Sequence, residues 1–471
     1  MNARSPSSGP AVDWSLSFFA SGEGRGDKYR LLFDAARFAD TQGLRGIWVP
    51  ERHFTPLGGL FPQPSLLLAA LARETRNLRL GAGSIVVPLH HPVRVAEELA
   101  VVDNLSGGRV VASFASGWHP GDFTLAPEAY EDRRRVMLQG VETVRRLWSG
   151  QPVSLPGGDG LDHEVRIFPT PLQRTLPTWL TSTGSAATFE TAGAMGTNVL
   201  THLVDQDLEV LAGRIAAYRR GRQRVGLPED GGTVTVMLHT FLGDDEARVR
   251  AQARPAFRRY LLANAPLLQA SAHSRGRAMD LSLLTESDIE ALVDHQFERL
   301  FSGHALLGTP EKCVPLVRSL TALGVGEIAC LVDFVDEPGE VLEGLHSLLR
   351  LRELCAAPPR SRPAPLTAPP IQAPPAAPSL EALRSRAEEV LAGETFYARL
   401  LKAGGDHGPG FRLVTRLWRS ADEALAELEL PASLRADLGR YPAHPALLDS
   451  CFGVLIATAL AGDVEAGAGQ V

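Results

Sequence analysis

Between Trp14 and Arg352 the chain alternates short apolar runs with longer stretches in which apolar residues recur every three or four positions. The runs are WSLSFF (14–19), GIWV (46–49), LRLGAGSIVV (78–87), VVASF (110–114), TWLTST (178–183), TNVLTH (197–202), TVTVMLHTF (233–241) and EIACLVDF (327–334). Continuous apolar runs of this length predict strands buried on both faces, and the spacing between them predicts helices. The helices include Lys28–Gln42, one starting near Pro64, and 93–106. Eight strands separated by helices fit an α/β fold, a (β/α)8 TIM barrel. A doubly wound open sheet would alternate too, but the glycines of FFASGEGRGDKY after the first strand do not follow the GxGxxG spacing.

Two interruptions and a change of character complete the pattern. Residues 152–171 predict a hairpin with a Gly-rich turn, and 244–303 a mostly helical insertion long enough to cover the barrel mouth. The segment AAPPRSRPAPLTAPPIQAPPAAPS (356–379) cannot build a core and reads as a semi-rigid Pro/Ala-rich linker. Beyond it, 380–471 form a second unit that starts with a helix, SLEALRSRAEEVL, and continues with strand-like GFRLVTRLWRS and EALAELELP. Its last residues, GDVEAGAGQV, supply no closing element, so it reads as incomplete. The expected division is a disordered 1–13, a barrel over 14–355, a linker over 356–379 and a partial unit over 380–471.

Composition narrows the partners. A chain of 471 residues, 44% hydrophobic and 21% charged, is that of an ordinary globular protein with two or more domains. A net charge of −7 offers no general attraction to nucleic acid or anionic lipid. The cysteines, Cys313, Cys330, Cys355 and Cys451, show no CxxC spacing and suit a reducing interior. With no run of signal-peptide or membrane-spanning character, a cytoplasmic location is expected.

In a barrel of this kind chemistry gathers at the C-terminal strand ends. That rule selects Glu51, Arg52 and His53 after the second strand, and Ser84, His90, His91 and Arg94 after the third. After the fourth come Ser116, Gly117, Trp118, His119 and Asp122, and later Ser182, Thr183, Gly184, Ser185 and His202. The strongest signal is TSTGSAATFETAG (181–193): a strand ending in hydroxyls, a glycine, and a helix start whose free N–H groups suit a phosphate. An ordinary Ser/Thr N-cap is the alternative. A histidine such as His53 can equally be a hydrogen-bonded structural residue, and Arg52 and Glu51 can simply pair. His90 and His91 are adjacent on an extended segment and so point to opposite faces; with no completing ligands, no metal is expected. Asp103 and Asn104 are read as local hydrogen-bonding groups near a helix end. No GxSxG elbow supports a hydrolase.

Residues 14–352 resemble the bacterial luciferase-like flavin monooxygenases, and within them the mupirocin-type subgroup of polyketide and non-ribosomal peptide assembly lines. The resemblance lies in GIWVPERHFTPLGGLFPQPS, GAGSIVVPLHHPVRVAEELAVVDNLSGGRVVASFASGWHPGDF and LPTWLTSTGSAATFETAGAMGTNVLTHL. It implies that reduced FMN, supplied by a separate flavin reductase, binds at the barrel mouth and reacts with molecular oxygen, giving a flavin peroxide that hydroxylates the substrate. Carried over by position, Thr183, Gly184 and Ser185 match the phosphate turn. Ser84 matches the strand end beside the flavin ring, where the family often has a non-proline cis peptide. Ala115, Ser116 and Gly117 meet the cofactor, with Ala115 in place of the luciferases' reactive cysteine. Where luciferases carry two histidines after the glutamate, this chain has Arg52 and His53. Arginine stays protonated, so His53 is the candidate acid–base group, Arg52 a stabiliser of oxygen charge, and Glu51 the residue orienting both.

Residues 394–449 resemble the C-terminal half of polyketide synthase dehydratases, in ETFYARLLKAGGDHGPGFRLVTRLWR and HPALLDS, which implies a partial α+β hotdog-like segment. Asp449 matches the family's aspartate, but no partner histidine motif precedes it and Gly453 stands where the family has Gln or His. The segment is therefore expected not to be a working dehydratase, but a docking module or a remnant. Together the two resemblances imply a substrate tethered to an acyl or peptidyl carrier protein, other assembly-line modules as partners, and a homodimer as a further possibility. The competing readings are a deazaflavin-dependent oxidoreductase on the same fold and a non-catalytic scaffold.

Overall fold

The computed structural model describes residues 12–19, 27–182, 184–204, 206–274, 286–335, 337–356, 380–402, 412–420, 424–431, 447, 450 and 454. The expected disordered N-terminus and the Pro/Ala-rich linker fall almost wholly outside them. The chain divides into two compact units on either side of residue 360.

In the first unit β1 (Asp13–Ser17), β2 (Gly46–Val49), β3 (Arg79–Val86) and β4 (Val110–Ala115) are joined by α1 (Arg30–Thr41), α2 (Pro64–Glu74) and α3 (Pro92–Ser106). After α4 (Arg133–Trp148) comes an antiparallel hairpin of β5 (Val153–Pro156) and β6 (Asp162–Val165). Then follow β7 (Thr178–Thr181), α5 (Ala186–Ala194), β8 (Asn198–His202), α6 (Leu208–Arg224) and β9 (Val234–Leu242). The unit ends with α7 (Glu246–Ser274), α8 (Glu286–Arg299), a short β10 (Leu306–Gly308), α9 (Pro310–Leu323), β11 (Glu327–Leu331) and α10 (Pro338–Ala356). Strands β1, β2, β3, β4, β7, β8, β9 and β11 pair in parallel, and β11 returns to β1, closing an eight-stranded barrel. β10 adds to β9 outside this ring.

The apolar runs close the barrel because both of their faces are buried: all of GIWV and all of EIACL lie inside. The helices cover it with one face each. In α1, Leu32, Ala35, Ala36 and Ala39 are the buried positions, a three-four spacing along one side. The N-terminal floor is a buried ion pair. Glu327 accepts from Ser15 Oγ (2.6 Å), Trp48 Nε1 (3.0 Å), Thr235 Oγ1 (3.0 Å) and the Arg79 guanidinium. Arg79 in turn lies over the rings of Trp48 and Trp179. The charge is fully paired and hydrogen-bonded, the condition under which burying it is tolerable. Asp103 corrects the local reading made above: its carboxylate accepts from the Leu172 and Gln173 N–H groups and from Gln173 Nε2, tying α3 to the segment after the hairpin.

The second unit holds α11 (Leu380–Ser385), β12 (Glu389–Ala392), α12 (Gly393–Lys402), β13 (Val414–Arg419) and β14 (Ala424–Leu428), with the strands antiparallel in the order β12-β13-β14. The helix expected over SLEALRSRAEEVL stops at Ser385, and Glu389–Ala392 join the sheet instead. Pairing with β13 overrides the local helical spacing, because Leu391 then packs with Phe396, Tyr397, Leu400 and Leu417.

Candidate active site

At the C-terminal end of β2 the chain leaves the sheet and Glu51 turns inward, its side chain 0% exposed. Its Oε1 meets Nε2 of His53 at 2.8 Å and Nε2 of His90 at 2.6 Å, and its Oε2 accepts from the Val86 N–H at 2.7 Å. Burial alone would push the Glu51 carboxyl up, but the two imidazoles and the backbone N–H outweigh it and hold it below the ordinary glutamate value. For His90 burial acts downward, yet the hydrogen bond and charge of Glu51, with the charge of Glu98, raise its pKa above the ordinary value.

Arg52 points the other way. Its backbone N–H is bonded to the Phe61 carbonyl, and its guanidinium stacks on Phe19, 4.3 Å from the ring centroid. Burial lowers its pKa, opposed by the charges of Tyr260, Asp122 and Asp333. Its Nη2 is buried and meets no hydrogen-bond partner among the described residues. Asp122, in the loop after β4, faces this group: burial pushes its carboxyl up, while His119, His53 and Arg52 pull it back. His119 Nδ1 lies 3.3 Å from Asp122 Oδ1. Phe54, next to His53, has φ +52 and is 69% exposed, an uncommon backbone for an aromatic residue and one found at the barrel's open end.

The strand ends named from sequence converge on the same side. The Gly83–Ser84 peptide is cis. Ser84 Oγ and Thr181 Oγ1 share a 2.5 Å hydrogen bond, and Ser113 Oγ reaches the same Thr181 oxygen at 2.7 Å, joining the ends of β3, β4 and β7. Ala115 ends β4 opposite Val86, and Ser116 Oγ bonds the Gly117 carbonyl at 3.3 Å. Gly117 has φ +71, and a Cβ there would lie 2.8 Å from Val86 Cγ1 and 2.9 Å from Phe123 Cε2.

At the start of α5, Ser185 occupies the N-cap position in extended geometry, but its side chain makes no capping hydrogen bond. The Thr188 and Phe189 N–H groups bond the Ser185 carbonyl, and those of Ala186 and Ala187, with no partner among the described residues, are left for another acceptor. Arg214 on α6 donates to the Gly184 carbonyl (3.0 Å) and to Gln206 Oε1 (2.5 Å), placing a cation behind the turn. The helix is set close to α6 by two glycines: a Cβ on Gly193 would lie 2.1 Å from the Tyr218 carbonyl oxygen, and one on Gly221 2.1 Å from that of Glu190. Thr183 and Asp449 lie outside the described residues.

Strand-end position selects His90 and Asp122 without giving them partners, and it does not select Arg214 or His239. The face that His90 presents meets Glu51, which the alternation of adjacent residues does not specify. Asp122 was noted without a role, and Arg214 carries no local signal because the turn it supports is thirty residues away. His239 on β9 is fully buried among Phe257, Tyr260 and Phe334, with ring centroids at 5.9, 5.0 and 5.3 Å. Burial lowers its pKa to about 3, and its Nε2 has no partner among the described residues. No group of three or more potential metal ligands occurs among the described residues. No helix among them is long and apolar enough to cross a membrane.

The barrel mouth therefore offers an uncapped helix start backed by a cation at one strand end, and a buried guanidinium N–H at another. That donor set fits a molecule with an anionic tail and oxygen acceptors on its body.

A family model described as luciferase-like monooxygenase matches residues 12–327, and one described as polyketide synthase dehydratase N-terminal domain matches residues 375–471. The dehydratase relationship of the second unit holds, although the matching family description names the N-terminal domain where the sequence phrases suggested the C-terminal half. The oxygenase component of flavin-dependent trigonelline monooxygenase from Acinetobacter baylyi is 25% identical over 318 residues, covering 65% of this chain and 83% of that one. The oxygenating constituent of 3,6-diketocamphane monooxygenase from Pseudomonas putida, solved with FMN, superposes with a TM-score of 0.56 at 17% identity, over 72% of this chain and 97% of that one. An F420-dependent secondary alcohol dehydrogenase superposes with a TM-score of 0.55 at 14% identity, over 73% and 99%.

Proposed function

The chain belongs to the luciferase-like monooxygenase family and is a flavin-dependent monooxygenase, and from that premise we propose that it uses reduced FMN to hydroxylate a polyketide or peptide intermediate held on an acyl or peptidyl carrier protein. The observation that carries the substrate class is the continuation of the same chain into a polyketide synthase dehydratase domain. A separate flavin reductase is part of the reading, since the trigonelline relative is described as the oxygenase component of its system.

FMN, once bound and reduced, supplies the activation of molecular oxygen. The residues of this chain do the rest. The open start of α5, with Thr183, Gly184 and Ser185, holds the phosphate, and Arg214 adds positive potential behind it. Ser84, Ala115, Ser116 and Gly117 shape the ring site where β3 and β4 end, locked by the Ser84–Thr181–Ser113 hydroxyl chain. Arg52 presents its Nη2, which has no partner among the described residues, to an oxygen that gains negative charge, from a buried position where such a donor acts strongly. His53 commits Nε2 to Glu51, which leaves Nδ1 to take up or give a proton. Glu51 orients the imidazole through that contact.

Incubation with reduced FMN, labelled oxygen gas and an acyl-loaded carrier protein tests the proposal. The expected product is a carrier-bound chain heavier by one labelled oxygen atom, read by intact-protein mass spectrometry. Absence of FMN binding in either redox state would refute it. A deazaflavin-dependent oxidoreductase is the second reading, favoured by the likeness to the F420-dependent fold. Preference for the deazaflavin in a paired titration, with no oxygen uptake, would establish that reading instead.

A further inference from the structure

One carboxylate oxygen, Glu51 Oε1, serves two imidazoles, and of these His90 lines the pocket between the starts of α2 and α3. His53 follows β2 with its side chain 9% exposed, whereas His90 is 20% exposed and lines a pocket on the flank of the barrel. That pocket runs between the start of α2, which contributes Gln63, Pro64 and Ser65, and α3, which contributes Arg94 and Glu98. Side-chain exposure grows outward along it, from Glu51 at 0% through Glu98 at 34% to Arg94 at 69%. Ser65 Oγ donates to Glu98 Oε2 at 2.8 Å, so the wall is hydrogen-bonded and polar.

We propose that His90 is a charge-compensating partner of His53, releasing a proton into the flank pocket whenever His53 gains one at the mouth. This rests on His53 being the acid–base group of the reaction. Each imidazole keeps its Nε2–H on Glu51 Oε1, and only the Nδ1 positions change. As His53 Nδ1 takes a proton from the reacting group, the Nδ1–H of His90 passes to water in the pocket, and the Glu51–His53–His90 cluster keeps its net charge. One carboxylate balances one cation, and two imidazolium rings on the same oxygen would repel each other. The charged groups around His90 are Glu51 on the β2 side and Arg94 and Glu98 on α3; α2 presents only uncharged side chains to the pocket. The consequence is that the mouth can be closed against water on a bound substrate while its proton balance is settled through the side of the barrel.

Two measurements on the full chain test this. Imidazole NMR titration of the flavin-free protein should show the His90 midpoint moving up by about one pH unit in His53→Asn, because the second proton site on Glu51 Oε1 is gone. If that variant does not fold, His53→Gln serves with the same criterion. His90→Gln keeps a donor for Glu51 but sheds no proton. It should leave flavin affinity unchanged, remove the alkaline limb of the oxygenation pH profile, and slow turnover by about one order of magnitude or more. A His90 midpoint unmoved by the change at residue 53, or a His90→Gln enzyme with the wild-type profile, overturns the coupling. The NMR arm needs no turnover, so its failure is distinct from a failure of His53 as the acid–base group, which would show as oxygenation surviving in His53→Asn.

Discussion

Gly81 on β3 leaves its place inside the barrel to Trp48 of β2: a Cβ on Gly81 would sit 2.4 Å from Trp48 Cε3. Trp48 meets Trp179 edge-on at 5.3 Å and is bonded to Glu327, so it has nowhere to retreat. Gly81→Ala should destabilise the barrel by about 1–3 kcal/mol through overpacking. Urea denaturation followed by tryptophan fluorescence measures this, and an unchanged midpoint would show that the ring moves freely.

The floor of the barrel predicts a pH dependence. Burial pushes the Glu327 carboxyl up, but the Arg79 charge and the hydrogen bonds from Arg79, Ser15 and Trp48 hold it below the ordinary glutamate value. A carboxyl lowered on folding contributes stability above its unfolded pKa and loses that contribution as pH falls through the folded one. Glu327→Gln, which leaves Arg79 buried without its charge partner, should cost about 3–5 kcal/mol at neutral pH. Its stability should also fall less steeply than the wild type's on the acid side of the ordinary glutamate range. Parallel acid-side slopes in denaturation curves would contradict the assignment.

Ser185 separates two accounts of one sequence motif. If its hydroxyl were a helix cap, Ser185→Ala would lose about 0.5–2 kcal/mol of stability. With no capping bond present, the expected result is unchanged stability and a weaker preference for FMN over riboflavin, by roughly tenfold. Paired fluorescence titrations with the two flavins give the answer, and equal losses for both would remove the phosphate role.

His53→Asn should lower coupled oxygenation by about two orders of magnitude or more, while FMN affinity stays close to that of the wild type. Oxygen uptake compared with product formed distinguishes a lost proton step from a lost cofactor. Oxygenation at the wild-type rate would place the proton chemistry on another residue.

Most of the architecture was legible because a strand buried on both faces has to be written in apolar residues. All eight barrel strands stand where the apolar runs are, GIWV to the residue. β10 escaped because a three-residue strand at the outside of the ring has too little sequence to carry a pattern. SLEALRSRAEEVL misled for a different reason: its spacing suits a helix, but Val390 and Leu391 find better partners in a sheet formed with residues almost thirty positions on. At the site, position along strands selects Glu51, Arg52, His53 and His90 as candidates. It does not select Arg214, and it does not show that His90 meets Glu51, because both contacts are made across thirty residues or more. Alternation predicts that His90 and His91 face apart, but it does not say what either one meets.

The two ends of the barrel differ in how their polar atoms are settled. At the Glu327 end the buried groups have partners, while the two buried side-chain atoms lacking one among the described residues, on Arg52 and His239, belong to the other end. Strand register and closure thus draw on a hydrogen-bonded polar floor at the end opposite the mouth. A lineage could exchange loops and side chains around the mouth, and with them the molecules it oxidises, without renegotiating how the barrel folds. The same separation gives an engineer a place to begin: diversify the mouth, and leave Ser15, Trp48, Arg79, Thr235 and Glu327 alone.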